Sequence, residues 1–273
     1  MSPTKSTTRN QPNEIYGTEL IREWGAAGAR RGRVVLVHGL AEHTGRYERV
    51  GSIFAESGFD VVAPDLFGFG RSGGERADVG DWGDYLDQVG RLIAASGRPV
   101  ILLGHSMGGL VATSYALSDR PQPDLLVLSA PAIGGGAGWQ KALAPVLARI
   151  APKMLIPNNL KGEQLSRDPL VGEAYFSDPL MVFKTTTRLG NQLFTAQAAA
   201  APHLGELPVP TLVMHGGSDS IVPPASTVVL GEADGVERRL YPKLRHEIFN
   251  EPEGPQLVAE VVDWIEENLG SSG

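Results

Sequence analysis

A wholly apolar tetrad, Val100-Ile101-Leu102-Leu103, runs directly into Gly104-His105-Ser106-Met107-Gly108, and an apolar segment of different period leaves it. The tetrad has the character of a central parallel strand buried on both faces. Beyond the glycines, Leu110, Val111, Ala112, Tyr115, Ala116 and Leu117 fall at helical spacing until Asp119-Arg120-Pro121 ends the element. A strand that turns sharply into a helix in this way lifts one side chain, here Ser106, out of the sheet as an exposed hydroxyl. The same five-residue pattern occurs at Gly70-Arg71-Ser72-Gly73-Gly74, but it follows Phe67-Gly68-Phe69-Gly70 and leads into a polar, glycine-broken stretch. Ser72 therefore reads as a structural loop serine.

A serine hydroxyl is a weak nucleophile without a neutral imidazole to take its proton, and the imidazole needs a carboxylate to set its tautomer. Thr211-Leu212-Val213-Met214-His215 reads as a later strand and ends in Gly216-Gly217-Ser218-Asp219, which places a carboxylate in the following loop. The strand Leu125-Leu126-Val127-Leu128 is followed by Ser129-Ala130-Pro131-Ala132-Ile133 and offers none, while Asp124 lies at its wrong end. Of the six histidines, His38, His43, His105, His203 and His215 precede Asp219, and His246 follows it. The order Ser106, Asp219, His246 is that of a triad on an α/β-hydrolase sheet. On that fold the backbone N–H of Met107, after the nucleophile, supplies one donor of the oxyanion hole. The other comes from the loop after an early strand, here Val34-Val35-Leu36-Val37 followed by His38-Gly39-Leu40, which points to the Leu40 N–H. His38 reads as a residue bracing that loop.

The remaining pattern predicts a mostly parallel, doubly wound α/β sheet. Strands are expected over Thr18–Trp24, Val34–Val37, Asp60–Ala63, Leu125–Leu128 and Glu237–Tyr241, with helices over Tyr47–Glu56 and Trp82–Ala95 and a last amphipathic helix. Alternation breaks from about Gly134 to Thr211. The expected division is a core of residues 14–133 and 206–270, a helical cap over residues 134–205, and flexible tails at 1–13 and 271–273. Within the insertion Trp139, Leu143, Val146, Leu147 and Ile150 share one helical face. Such a stripe suits either an acyl tunnel or simple packing of the cap onto the sheet.

Several stretches resemble the monoacylglycerol lipases among the serine-dependent α/β-hydrolases: His38-Gly39-Leu40-Ala41-Glu42-His43-Thr44-Gly45-Arg46-Tyr47, the elbow, Leu128-Ser129-Ala130-Pro131-Ala132, Leu165-Ser166-Arg167-Asp168-Pro169, Ser177-Asp178-Pro179-Leu180 and Tyr241-Pro242-Lys243-Leu244-Arg245-His246-Glu247. The resemblance implies a glycerol-binding corner in which Glu42 and Arg46 match the family's polar residues; an ion pair stapling the loop is an equally weighted and compatible reading. Two positions depart from the family pattern. Ala41 stands where a glycine is usual, and Asp65-Leu66-Phe67-Gly68-Phe69-Gly70 replaces Asp-x-Arg-Gly-His-Gly, an exchange expected to make the pocket floor less polar.

Composition narrows the alternatives. With 24 basic and 31 acidic side chains the net charge is -7 and no basic stripe is present, so nucleic acid is not an expected partner. Cysteine is absent, excluding disulfides and thiolate metal sites, and the histidines show no metal spacing. The expected activity needs no cofactor and no metal. No apolar run reaches spanning length, so the expected compartment is the cytoplasm, with transient membrane or micelle contact through the cap left open. The expected partner is a lipid ester: a monoacylglycerol first, a lysophospholipid or simple carboxylester second. A catalytically silent ligand-binding relative is the alternative of another class.

Overall fold

The computed structural model describes residues 5–270. Its frame is an eight-stranded sheet made of β1 (Thr7–Asn13), β2 (Gly17–Trp24), β3 (Gly32–Val37), β4 (Phe59–Pro64), β5 (Val100–His105), β6 (Leu125–Ser129), β9 (Thr211–Gly216) and β10 (Val236–Tyr241), in the order β1-β2-β4-β3-β5-β6-β9-β10. Every neighbour pair from β4 to β10 is parallel, whereas β1·β2 and β2·β4 are antiparallel. Helices α1 (Glu48–Glu56), α2 (Gly83–Ala94), α3 (Met107–Ala116) and α8 (Gly254–Gly270) cover the two faces.

Burial explains the pattern. β5, β6 and β9 are buried at every position, because helices lie on both sides of them. One apolar core holds Leu102, Leu110, Leu126 and Val213 with α2 and α3. The other holds Ile101, Leu103, Val127 and Met214 with α1 and α8. The alternation of side chains along one strand thus feeds two cores.

One expectation is corrected here. Residues 1–13 are not all tail: Thr7–Asn13 pair in register with Gly17–Trp24 as the outermost strand. The segment is exposed on an edge and held by its backbone ladder and an Arg9–Glu23 ion pair at 2.9 Å, so it carries no apolar signature. Residues 271–273 lie outside the described residues.

Between β6 and β9 the chain leaves the sheet for α4 (Gly138–Ile150), β7 (Leu155–Pro157), α5 (Gly162–Leu165), α6 (Pro169–Ser177), β8 (Lys184–Thr186) and α7 (Thr187–Ala200), with β7 and β8 forming a small antiparallel ribbon. The apolar stripe of α4 does not pack onto the sheet. Trp139, Leu143, Val146 and Ile150 are exposed, and Trp139 and Leu143 together with Leu147 also line a cavity.

Candidate active site

Ser106 stands between the end of β5 and the start of α3 with φ 52° and ψ −116°. A non-glycine residue held there costs on the order of 1–3 kcal/mol, and close backbone packing enforces it. A Cβ on Gly104 would lie 2.3 Å from Gly108 O, and one on Gly108 would lie 2.2 Å from Val37 O. Both glycines of the pentad are therefore demanded by contact with the chain on either side of the turn. Ser106 N–H donates to Ser129 O at 3.0 Å, and Ser106 O accepts from Ala132 N at 2.9 Å, tying the turn to the end of β6.

The three residues chosen by chain order meet. Ser106 Oγ lies 2.9 Å from His246 Nε2, and His246 Nδ1 lies 2.7 Å from Asp219 Oδ2. A carboxylate only accepts, so Nδ1 carries the proton and Nε2 presents its lone pair to the serine. Asp219 Oδ1 accepts from Ile221 N at 2.8 Å and Val222 N at 2.9 Å. Burial pushes the Asp219 carboxyl up, but hydrogen bonds from His215 and His246 outweigh it and hold the group well below the usual carboxylate range. His105 packs against His246 with ring centroids 4.8 Å apart, and burial, followed by the nearby His246, brings its pKa down to about 4. A neutral ring thus flanks His246.

Met107 N–H opens α3, among the first-turn donors that a helix leaves without an internal acceptor. Leu40 follows β3 and lines both cavities at the site. His38 braces this loop: Leu66 N donates to its Nε2 at 2.9 Å, so its Nδ1 donates to Gly39 O at 2.8 Å. Ser72 is structural, accepting from Leu20 N at 2.9 Å and donating to Asp65 O at 2.6 Å.

Glu42 and Arg46 lie on the wall beside Ser106 and are bound to protein groups. Glu42 Oε1 accepts from Gly39 N and from Tyr47 Oη, both at 2.6 Å, and Oε2 accepts from Arg46 Nη1 at 2.8 Å. Arg46 also forms a two-pronged pair with Glu247 at 2.6 and 2.8 Å and sits over the Tyr175 ring at 5.2 Å. Burial lowers the Arg46 pKa, but Glu247 and Glu42 overcome this and raise it. Glu247 was not singled out as a pocket residue from sequence, although it directly follows His246.

The narrow sequence stretches of the insertion are where it is fastened to the core. Asp178 Oδ2 lies 2.9 Å from His43 Nε2, and Val182 N donates at 3.0 Å to the carbonyl of Ala41, whose φ of 73° explains why glycine suits that position. The fully buried Glu251 accepts from Arg245 N (2.7 Å), Arg167 N (2.9 Å), Arg167 Nε (3.1 Å) and Ser166 Oγ (3.2 Å). Removing one partner of such a buried network costs about 3–5 kcal/mol. We expect Glu251→Ala to lose stability on that scale in urea titration; a loss under 1 kcal/mol would contradict this account.

Two cavities meet at Leu40 and Asn158. One, of about 320 Å³, is lined by Trp139, Leu143, Leu147, Leu189, Leu193 and Phe194 among others. The second, of about 150 Å³, holds Ser106, His246, Glu42, Arg46, Tyr175 and Glu247. Phe67 and Phe69 line neither: Phe67 stacks on Tyr16 at 4.3 Å and Phe69 meets the His38 ring edge-on at 5.9 Å. The expected loss of polarity at the pocket floor is therefore spent inside the core.

The sheet order, the strained strand-to-helix turn and the Ser-His-Asp contacts define an α/β-hydrolase. The family model described as "Serine aminopeptidase, S33" (Hydrolase_4) matches residues 28–253. The chain is 34% identical over 279 aligned positions to the monoacylglycerol lipase of Mycolicibacterium smegmatis, covering 97% of this chain and 99% of that one. It is 36% identical over 233 positions to the phospholipase YtpA of Bacillus subtilis, covering 81% and 89%. The crystal structure of the Paleococcus ferrophilus monoacylglycerol lipase superposes with a TM-score of 0.84 at 31% identity, covering 91% of this chain and 98% of that one. The chain belongs to this S33 family and, among the α/β-hydrolases, to the family of the monoacylglycerol lipases.

Proposed function

We propose that the protein hydrolyses monoacylglycerols to glycerol and free fatty acid through an acyl-enzyme, with Ser106, Asp219 and His246 as the triad and the N–H groups of Leu40 and Met107 as the oxyanion hole. Ser106 Oγ attacks the ester carbonyl carbon while His246 Nε2 takes its proton, and Asp219 stabilises the imidazolium. The carbonyl oxygen gathers negative charge against the two backbone donors. On collapse the bond to the glycerol oxygen breaks, and His246 returns the proton to it. Water then repeats the sequence: its proton goes to His246, its oxygen to the acyl carbon, and Ser106 recovers its proton as the fatty acid leaves. No cofactor enters this sequence.

The observation that carries the substrate reading is the division of space at Ser106: apolar side chains of α4 and α7 on one side of Leu40 and Asn158, and on the other a smaller cavity where the charged Glu42, Arg46 and Glu247 stand among Leu160, Leu165 and Ile221. An acyl chain suits the first and a small hydroxylated alcohol the second. Tyr175 strengthens it, because the residue lines the second cavity beside Glu42 and Arg46 and its buried hydroxyl has no protein partner. Against a lysophospholipid, the phosphate would meet two carboxylates, Glu42 and Glu247, for the single guanidinium of Arg46. In this reading residues 134–205 form a cap over the site. Its exposed Trp139, Leu143, Val146 and Ile150 are the surface that touches membrane or micelle. Among the described residues no helix is long and apolar enough to cross a membrane.

Turnover of monoacylglycerols, lysophospholipids and short nitrophenyl esters compared side by side tests the reading, and preference for either of the latter two overturns it. Tyr175→Phe sharpens the test. Loss of one neutral hydrogen bond costs about 0.5–1.5 kcal/mol, so kcat/KM for a monoacylglycerol should fall by about 2- to 10-fold relative to the methyl ester of the same acid. Equal effects on both esters would remove Tyr175 from alcohol recognition. The reading as a silent binder fails if a fluorophosphonate labels Ser106.

A further inference from the structure

The carboxylate of Asp219 is shared. Its Oδ2 faces His246 Nδ1 on one side and, at 3.1 Å, the Nε2 of His215 on the other. His215 lies in β9 with no exposed surface, in a strand whose other side chains are Thr, Leu, Val and Met. A buried imidazole there carries a desolvation cost that an aliphatic side chain would avoid, and its Nε2 faces only acceptors: Asp219 Oδ2 and, at 3.0 Å, Val222 O. Nε2 must therefore hold the proton. Nδ1 lies 3.2 Å from Thr227 Oγ1, a hydroxyl that accepts from Arg238 Nε at 3.0 Å and whose single proton is shared between Nδ1 and Pro224 O at 3.0 Å.

We infer that His215 is a positioning residue for the general base: as an Nε2–H donor it pins Asp219 Oδ2 in place and divides that oxygen's accepting capacity with His246. This role rests on the triad proposed above. Two backbone amides fix only Oδ1, so without His215 the oxygen that orients His246 is anchored through its own carboxyl group alone. The shared acceptor has a second consequence. Losing one donor leaves Oδ2 free to bind the His246 imidazolium more strongly, so the acid side of the activity profile moves to higher pH even as orientation worsens. The other ionisable groups around the pair are His105 against His246, Glu42 and Glu247 lining the second cavity, and Arg238 behind Thr227.

The test compares His215→Gln with His215→Met, which are similar in size and differ in whether an N–H reaches Asp219. Steady-state kinetics on a nitrophenyl ester are normalised to sites titrated by fluorophosphonate, which reports independently whether Ser106 is an active nucleophile. For His215→Met the expected result is a fall in kcat of about 10- to 100-fold, the scale of a lost hydrogen bond to a charged group, with KM within twofold and the acid limb displaced upward. His215→Gln should recover most of the loss. If titrated sites of His215→Met turn over at the parent kcat with the parent acid limb, the residue is structural and the inference is overturned. Should neither variant fold, the ¹⁵N shifts of His215 in the unaltered protein decide: a protonated Nε2 supports the inference and an unprotonated Nε2 overturns it.

Discussion

Ser106→Ala lowers kcat for ester hydrolysis by about a million-fold, and His246→Ala added to it brings almost no further loss, as expected for residues that act as a unit. The basis is the 2.9 Å contact between Ser106 Oγ and His246 Nε2. Without the hydroxyl there is nothing for the imidazole to deprotonate, and without the imidazole the hydroxyl stays protonated. What remains in either variant is the oxyanion donors and the binding cavities, which the double variant keeps in full. Rates from protein free of other esterases check this. Additive losses, or hydrolysis by pure Ser106→Ala within 100-fold of the parent, would show that another group attacks the carbonyl.

Asp219→Asn folds normally and loses about 10⁴-fold in kcat, the scale expected when an amide selects the wrong imidazole tautomer. The surroundings say which way the amide turns. Oδ1 accepts from Ile221 N and Val222 N, so the side-chain oxygen of Asn must take that place. Its NH₂ group then faces both His215 Nε2, which keeps Val222 O as its acceptor, and His246 Nδ1, which can remain hydrogen-bonded only by giving up its proton. The proton moves to Nε2 and points at Ser106, where a base is needed. Circular dichroism should match the parent, and kcat measured across pH should remain depressed throughout. Activity within 100-fold of the parent would place the acid elsewhere.

The parts of the molecule legible in the sequence are those with a strong one-dimensional signature. The strands β3, β5, β6 and β9 are continuous apolar runs because helices bury both faces, and Ser106, Asp219 and His246 follow from order along the chain. Edge strand β1 escaped because seven residues without an apolar side chain to bury, paired with β2 mainly through their backbone, resemble a tail. The wiring of the site was hidden for another reason. Arg46 meets Glu247 across 201 positions and Ser166 meets Glu251 across 85, and spacing carries no information about contacts at that distance. His215 was visible as a histidine ending a buried strand, four residues before Asp219, but chain order alone set it aside. The α4 stripe is legible as apolar, but that it divides between a cavity shared with α7 and an outward face at Val146 and Ile150 depends on neighbours far along the chain.

The loop bearing His246 is also hydrogen-bonded to the insertion. His246 N donates to Gln164 O at 3.4 Å and Glu247 N to Leu165 O at 2.8 Å, with Arg245 held by Glu251 alongside Arg167. For protein engineers this sets where a graft between relatives can be cut. Replacing residues 134–205 as a block would exchange the Gln164 and Leu165 carbonyls that hold the His246 loop, so a chimera meant to alter acyl preference would lose turnover for a reason unrelated to its new substrate pocket. Cutting before α5 and after Val182, and keeping the segment between them from the parent, leaves α4 and α7 free to be exchanged while the base keeps its native support.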